Sequence, residues 1–362
     1  MKNSEQNITA IGLMSGTSCD GLDIAYCEFN YQLEKWSYKI LASETLAYDA
    51  SLLYKLKGAV SMSGLALMQL DRDFGTYCGK SILTFLMKNN LPAPNIIGSH
   101  GHTVFHTPET GLTYQLGSGA SIYGACDIPV ACDFRSVDVA LGGQGAPLVP
   151  LGDQLLFSEY DYCLNLGGIS NISFEQEGKI IGFDICPVNM VLNYLAQKAG
   201  FEYDKDGELA ASGKVNTELL STLNRLEFYK ENGPKSLGKE WFDTNFLPLI
   251  QIHESLGINN LLATAVEHIA EQMAATIHLH KKNNARLLAT GGGAFNKHLM
   301  QVFTQKLKGV CSVEIVDTQT VAFKEALIFG LLGALRLLKE KNVLCSATGS
   351  SRDHCGGALY GV

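Results

Sequence analysis

Twice in this chain an apolar, β-prone run breaks at a turn of glycines and small polar residues, then resumes. The first occurrence is Ile8 to Phe29, with the turn Gly12-Leu-Met-Ser-Gly-Thr-Ser-Cys-Asp-Gly-Leu-Asp23 between its apolar ends. The second is Tyr162-Cys-Leu-Asn-Leu-Gly-Gly-Ile-Ser-Asn-Ile-Ser-Phe174. Each reads as strand, tight turn, strand. Gly12, Gly16 and Gly21 permit positive φ and close backbone approach. Ser15, Thr17 and Ser18 set hydroxyls beside free turn amides, which makes an anion nest suited to polyphosphate. Asp20 and Asp23 can hold Mg²⁺ through water. A polar hairpin with no ligand is the plain alternative. The turn is not a Walker A loop, because Gly-Lys-Ser/Thr is missing and a strand follows instead of a helix.

A unit repeated about one domain later suggests two related domains. The length of 362 residues also exceeds one ordinary core. The expected boundaries are 1–150 for a first lobe, with the tail 341–362 packed back onto it, and 151–340 for a second. Charge narrows the partners. There are 28 basic and 36 acidic residues, a formal net charge of −8, and no basic run. This argues against nucleic acid or an anionic membrane as a partner. Ten cysteines lie scattered without a C-x-x-C pair, as expected of a chain in a reducing cytosol. No apolar run approaches the ~20 residues of a membrane span, and the first residues lack a signal-peptide core.

Between the two turns, helical periodicity covers Ala50 to Lys88. Asn95 to His106 reads as a short strand running into a loop that carries His100, His102 and His106. Polar substrate contact or loop hydrogen bonding suits these histidines better than a metal, because no H-E-x-x-H helix accompanies them. Tyr114 to Arg135 reads as loop, helix and strand, with Ser118 able to cap the helix. Arg135 precedes a second glycine-rich loop, Leu141 to Pro150. It can bind a carboxylate or phosphate, or pair with Asp133 or Asp138.

After the second turn, Lys179 to Asp184 reads as a strand ending in a carboxylate, just before a helix over Met190 to Gly200. Open α/β sheets place reactive groups at such a point. Lys235, Ser236 and Lys239 face either a substrate or solvent. Ala285 to Asn296 reads as strand, triple glycine and helix. Gly291, Gly292 and Gly293 there let a flat ring or ribose lie against backbone. Ala322 to Leu338 is a strongly apolar helix on which Glu325 stands out.

The ordered set of strings is more specific than any single one. G-L-M-S-G-T-S-x-D-G-x-D, G-S-H-G-x-T-V-x-H, D-F-R-x-x-D-x-A-x-G-G-Q-G-A-P-L-V-P, L-N-L-G-G-I-x-N, G-F-D-x-x-P-x-N and A-T-G-G-G-A-x-N run from residue 11 to near the C-terminus. Together they resemble the anhydro-N-acetylmuramic acid kinase family, within the sugar kinase, Hsp70 and actin superfamily. The resemblance implies a two-lobed α/β, actin-like ATPase (ribonuclease H-like) fold with a central cleft. It implies a cytoplasmic enzyme of peptidoglycan recycling that uses ATP and Mg²⁺. Such an enzyme opens 1,6-anhydro-N-acetylmuramic acid with water and phosphorylates O6, giving N-acetylmuramic acid 6-phosphate and ADP.

Carried over position by position, Asp184 is the base that activates water. The ATP turn is Gly16, Thr17, Ser18, Cys19, Asp20, Gly21, Leu22 and Asp23, answered by Gly167, Gly168 and Asn171 and by Gly291 to Gly293. Asp20 is the Mg²⁺ candidate. His100, His102, Arg135, Asn189 and Glu325 are the substrate-binding candidates. Assembly as a homodimer stays open. The chain departs from the family pattern at Ile185-Cys186, where Thr-Gly is usual, at His102, where Gln is usual, and at Asn193, where Asp is common. Two other readings stand beside this one: an amino-sugar kinase acting on a free hydroxyl, and a non-catalytic nucleotide-switched binding protein of the same fold.

Overall fold

A computed structural model describes residues 5–16, 19–231 and 235–362. The chain forms two compact units, Met1–Phe157 with Phe323–Val362, and Ser158–Ala322.

The sheet of the first unit contains β1 (Gln6–Ser15), β2 (Leu22–Gln32), β3 (Lys35–Leu46), β4 (Ile96–Thr107), β5 (Leu112–Leu116) and β6 (Val130–Cys132). Its order is β3-β2-β1-β4-β6, with the C-terminal strand Ala358–Tyr360 beyond β6 and β5 paired to β4. β1 to β3 form an antiparallel meander, whereas β4 runs parallel to β1 and β6 runs parallel to β4. A parallel return needs a long crossover. The helices Ala50–Gly58 and Gly64–Asn89 supply it, capped by Asp49 and Ser63.

In the second unit the strands are β7 (Tyr162–Leu166), β8 (Ile169–Gln176), β9 (Lys179–Pro187), β10 (Ala285–Thr290) and β11 (Cys311–Glu314). Their order is β9-β8-β7-β10-β11, again an antiparallel meander followed by two parallel strands. Each unit therefore carries the same strand order and directions. This is the duplicated, ribonuclease H-like α/β class that the resemblance implied. The helices Asn189–Lys198 and Ile258–Leu279 bury their apolar faces in the core of this second unit.

The unit boundaries differ from those expected. The first crossing falls at Phe157/Ser158 rather than at 150/151. The second falls at Ala322/Phe323 rather than at 340/341. Packing of the apolar helix Thr318–Leu337 explains the second difference. Phe323 interrupts this helix with φ −114° and ψ 16°. Beyond that kink its backbone lies on the first sheet, where Gly12 and Gly98 are register partners on β1 and β4. A Cβ on Gly12 would lie 1.6 Å from the Ala326 carbonyl oxygen, and one on Gly98 would lie 1.9 Å from that of Phe329. Gly330 and Gly333 answer from the helix side. Four glycines thus let helix and sheet meet backbone to backbone. Gly12 serves this contact and not the turn.

Beside the kink, Lys324 and Asp153 form an ion pair of 2.8 Å, with side chains only 4% and 7% exposed. The Lys324 ammonium also lies 5.6 Å from the centre of the Phe157 ring. Lys324→Met would leave the Asp153 carboxylate buried without its cation, at a cost of about 3–5 kcal/mol. Urea unfolding of Lys324→Met should show that loss. The double variant Lys324→Met/Asp153→Leu should regain more than half of it.

Candidate active site

In the first unit the turn after β1 runs from Ser15 to β2. Thr17 and Ser18, both expected at phosphate, lie outside the described residues. Cys19 is buried in the left-handed region with φ 57°, and its amide donates to the Gly16 carbonyl at 3.1 Å. Asp20 is exposed and Leu22 opens β2. A Cβ on Gly21 would lie 2.8 Å from the Leu46 carbonyl oxygen, so backbone packing is the reason for that glycine.

Acidic groups collect here. Burial, and then Asp20 nearby, push the Asp23 carboxyl up to about 6 against the hydrogen bond from Thr45. Burial also raises the half-buried Glu325 carboxyl. Lys324 and Arg135 oppose that rise, while Asp23 and Asp20 add to it. Among the described residues, no group of three or more His, Cys, Asp or Glu side chains is arranged to hold a metal ion alone. Magnesium seldom sits in an all-protein cage and is usually bound through one or two carboxylates and substrate phosphates. Crowded carboxylates at a glycine turn are compatible with that mode, because a cation would relieve their mutual repulsion.

The histidines do not sit on a loop. β4 continues to Thr107, so His100, His102 and His106 are strand residues, and Tyr114 lies in β5 where a loop was expected. Gly101 has φ 77°, and a Cβ there would meet the Leu116 carbonyl oxygen at 2.5 Å. A left-handed residue inverts the strand's alternation. Ahead of it, Gly98 and His100 share the face of the apolar helix by ordinary alternation, and the His100 ring lies 4.6 Å from that of Phe329. His102 turns to the opposite face, toward Ser15 and Phe74.

His100 Nδ1 donates to the Gly101 carbonyl at 2.9 Å, which leaves Nε2 to accept from Arg135 Nη2 at 2.8 Å. Burial, then the Arg135 charge, lower its pKa to about 3, so the ring is neutral. Arg135 Nη1 donates to the Gly145 carbonyl at 3.0 Å. Its Nε is buried without a hydrogen-bond partner among the described residues. Arg135 therefore forms no hydrogen-bonded pair with Asp133 or Asp138.

Asp138 is instead the hub of the second glycine loop. It is fully buried and accepts from the Gly145 amide at 2.7 Å and from Thr348 Oγ1 at 2.6 Å. The C-terminal segment thereby fixes the carbonyl that aims Arg135. Asp138→Ala should lower stability by about 2–3 kcal/mol, since two buried donors lose their acceptor. Thermal unfolding with and without the variant checks this.

In the second unit, Asp184 does not end its strand. β9 runs on to Pro187, and the next helix is Asn189–Lys198, not Met190 to Gly200. Asp184 is paired in register with Asn171 of β8. Its Oδ2 accepts from the Leu237 amide at 2.8 Å and from Ser236 Oγ at 3.2 Å. Burial raises its pKa above the usual 3.8, and those two bonds oppose the rise. Ser236 thus serves Asp184. Lys235 spends its ammonium on the carbonyls of Phe228 and Glu231. The departing residues Ile185 and Cys186 are both buried, with Ser170 Oγ donating to the Cys186 carbonyl at 3.1 Å.

Gly167 and Gly168 make the β7–β8 turn, and their carbonyls accept amides from Val188, Asn189 and Met190. Asn189, expected at the substrate, donates its side-chain amide to the Leu166 carbonyl at 3.0 Å. The triple glycine packs on the same turn. Gly291 has φ 81°, and a Cβ there would meet Asn165 Oδ1 at 2.5 Å; one on Gly293 would meet Leu166 Cβ at 2.8 Å. Gly292 keeps an open Cβ direction toward Asn189. Asn296 caps the helix Lys297–Lys306. The second unit therefore gathers Gly167, Gly168, Asn189 and Gly291–Gly293 into one backbone-lined corner, with Asn171 and Asp184 on the adjoining strands.

The family model for anhydro-N-acetylmuramic acid kinase matches residues 8–362. A Sulfurimonas denitrificans protein called anhydro-N-acetylmuramic acid kinase is 33% identical over 97% of this chain and 98% of its own length. Proteins of that name from Coxiella burnetii and Vibrio vulnificus are also 33% identical, over 97% of this chain and 96% and 97% of theirs. With a match of this extent across both units, the chain belongs to the anhydro-N-acetylmuramic acid kinase family.

Proposed function

We propose that the protein opens 1,6-anhydro-N-acetylmuramic acid with water and transfers the γ-phosphoryl group of ATP to O6, in peptidoglycan recycling. The observation that carries the chemistry is Asp184. Its carboxylate is half-buried and held through one oxygen, which suits the water-activating base expected here from the G-F-D resemblance. Oδ1 is the oxygen that takes the proton from water as water bonds to C1. The C1–O6 bond breaks, and its electrons leave on O6. That oxygen bonds to the γ-phosphorus while the bond to ADP breaks. One carboxylate suffices as base. No acid needs to protonate O6, because phosphorus captures it.

The turn amides from Gly16 to Asp23 are the first unit's candidates for phosphate binding, and Gly167, Gly168 and Asn171 are the second unit's. Gly291 to Gly293 would back the adenosine. Asp20, with Asp23 and Glu325 nearby, would hold Mg²⁺, which when bound offsets charge on the transferring phosphoryl group. Arg135, its guanidinium aimed by Gly145 and His100, is suited to a carboxylate or phosphate of the substrate.

The test is a coupled ADP-release assay with 1,6-anhydro-N-acetylmuramic acid, N-acetylglucosamine and the opened sugar. ADP formation with the anhydro sugar alone, and ¹⁸O from labelled water at C1 of the product, are expected. Turnover of the opened sugar without ¹⁸O at C1 would instead identify a free-hydroxyl kinase. No ADP with any sugar would leave a nucleotide-switched binding protein.

A further inference from the structure

We infer that His102 is a positioning residue that clamps the phosphate turn, its imidazole bridging Ser15 at the end of β1 to Cys19 within the turn. This rests on reading that turn as the ATP phosphate site. His102 Nδ1 lies 3.0 Å from Ser15 Oγ, and Nε2 lies 4.0 Å from Cys19 Sγ. Ser15 and Cys19 bracket the turn's hydroxyl residues in sequence. One rigid ring on the neighbouring strand therefore touches both sides of the loop.

Tyr48 donates its hydroxyl to Ser15 Oγ at 2.7 Å. Ser15 Oγ still has its own hydrogen and a second lone pair, so it can serve Nδ1 in either neutral tautomer, and the Cys19 thiol can likewise face Nε2 as acceptor or donor. Tyr48, Ser15, His102 and Cys19 thus form one continuous run of polar contacts. Burial disfavours the charged imidazolium and favours a neutral ring. His102 is 4% exposed and Ser15 is 1% exposed, so little of either remains for solvent or sugar. Phe74 packs edge-on to the ring with 6.3 Å between centroids, and Tyr48 packs on Phe74.

Backbone geometry aims the ring. Ser15 and His102 are register partners after a bulge that follows the Leu13–Ser99 pair. The left-handed Gly101 has already turned His102 away from the face occupied by His100. Without that inversion the two rings would share a face, and the turn would lose its brace.

The test compares wild type, His102→Leu, His102→Gln and Ser15→Ala. Leu removes both contacts. Gln keeps one acceptor and one donor, as the neutral imidazole does. His102→Leu should raise KM for ATP and the calorimetric Kd for ADP by about tenfold or more, while KM for the anhydro sugar stays within about twofold. His102→Gln should return both nucleotide constants to within about threefold of wild type. Ser15→Ala breaks the same bridge from its other end. Combined with His102→Leu it should add little, because contacts that act as a unit are non-additive.

A rise in the sugar's KM with ADP affinity unchanged would overturn the clamp and make His102 a substrate contact. Full additivity of Ser15→Ala and His102→Leu would also overturn it. If His102→Leu does not fold, the Gln and Ser15→Ala constants decide the matter alone. Failure of wild type to bind ADP would instead overturn the phosphate-turn reading on which the clamp depends.

Discussion

Asp184→Asn is expected to lower kcat by about 10²–10⁴-fold, the range for loss of a positioned general base. ADP affinity measured by calorimetry should change less than about threefold, since asparagine still accepts from the Leu237 amide and Ser236 hydroxyl through its oxygen. Near-wild-type turnover by that variant would remove Asp184 from the mechanism. The pH profile carries the same signature. Burial raises the Asp184 pKa above 3.8. A base works only when ionised, so kcat should fall as pH drops through that raised value. The acidic limb should therefore lie above the ordinary aspartate value of 3.8 and be missing from the residual activity of Asp184→Asn.

The second large effect concerns folding. Gly12→Ala should destabilise the first unit by at least the upper end of the about 1–3 kcal/mol seen for overpacked cores. The new Cβ would stand 1.6 Å from the Ala326 carbonyl oxygen and 2.8 Å from the Gly330 amide nitrogen. Both are backbone atoms of a buried helix, and no rotamer change can move them. Gly58→Ala is the control. Its Cβ would meet nothing within 4 Å, at the last residue of the helix Ala50–Gly58. It should leave stability unchanged or raise it by up to about 1 kcal/mol. Urea denaturation of both variants, with the soluble yield of each, distinguishes backbone packing from a general effect of adding a methyl group. A Gly12→Ala protein as stable as wild type would mean that helix and sheet do not meet as described.

Much of the local structure around these turns is legible in the sequence. The two glycine turns stand between strands as their spacing indicates, Ser118 caps its helix, and the triple glycine follows a strand. These features are local, because turn chemistry and caps depend on residues a few positions apart. The strand from Ile96 to Thr107 was less legible. Its histidines and glycines are poor strand formers. Pairing with β1, β5 and β6 overrides that preference. The helix carrying Glu325 was placed in the wrong unit for a related reason. Apolar periodicity reports that a face is buried, not which sheet buries it.

Sequence alone determined the repeated strand–turn–strand unit and the family, and it singled out Asp184 as the candidate base, because each is written in short-range patterns of residue type. Tertiary structure decided what those patterns could not carry. It seats the last long helix on Gly12 and Gly98, commits Asn189 to the Leu166 carbonyl, and sends His100 and His102 to opposite faces of β4. In each case the partner lies tens to hundreds of residues away, or a single left-handed backbone angle reverses the alternation. Residue periodicity contains neither kind of information.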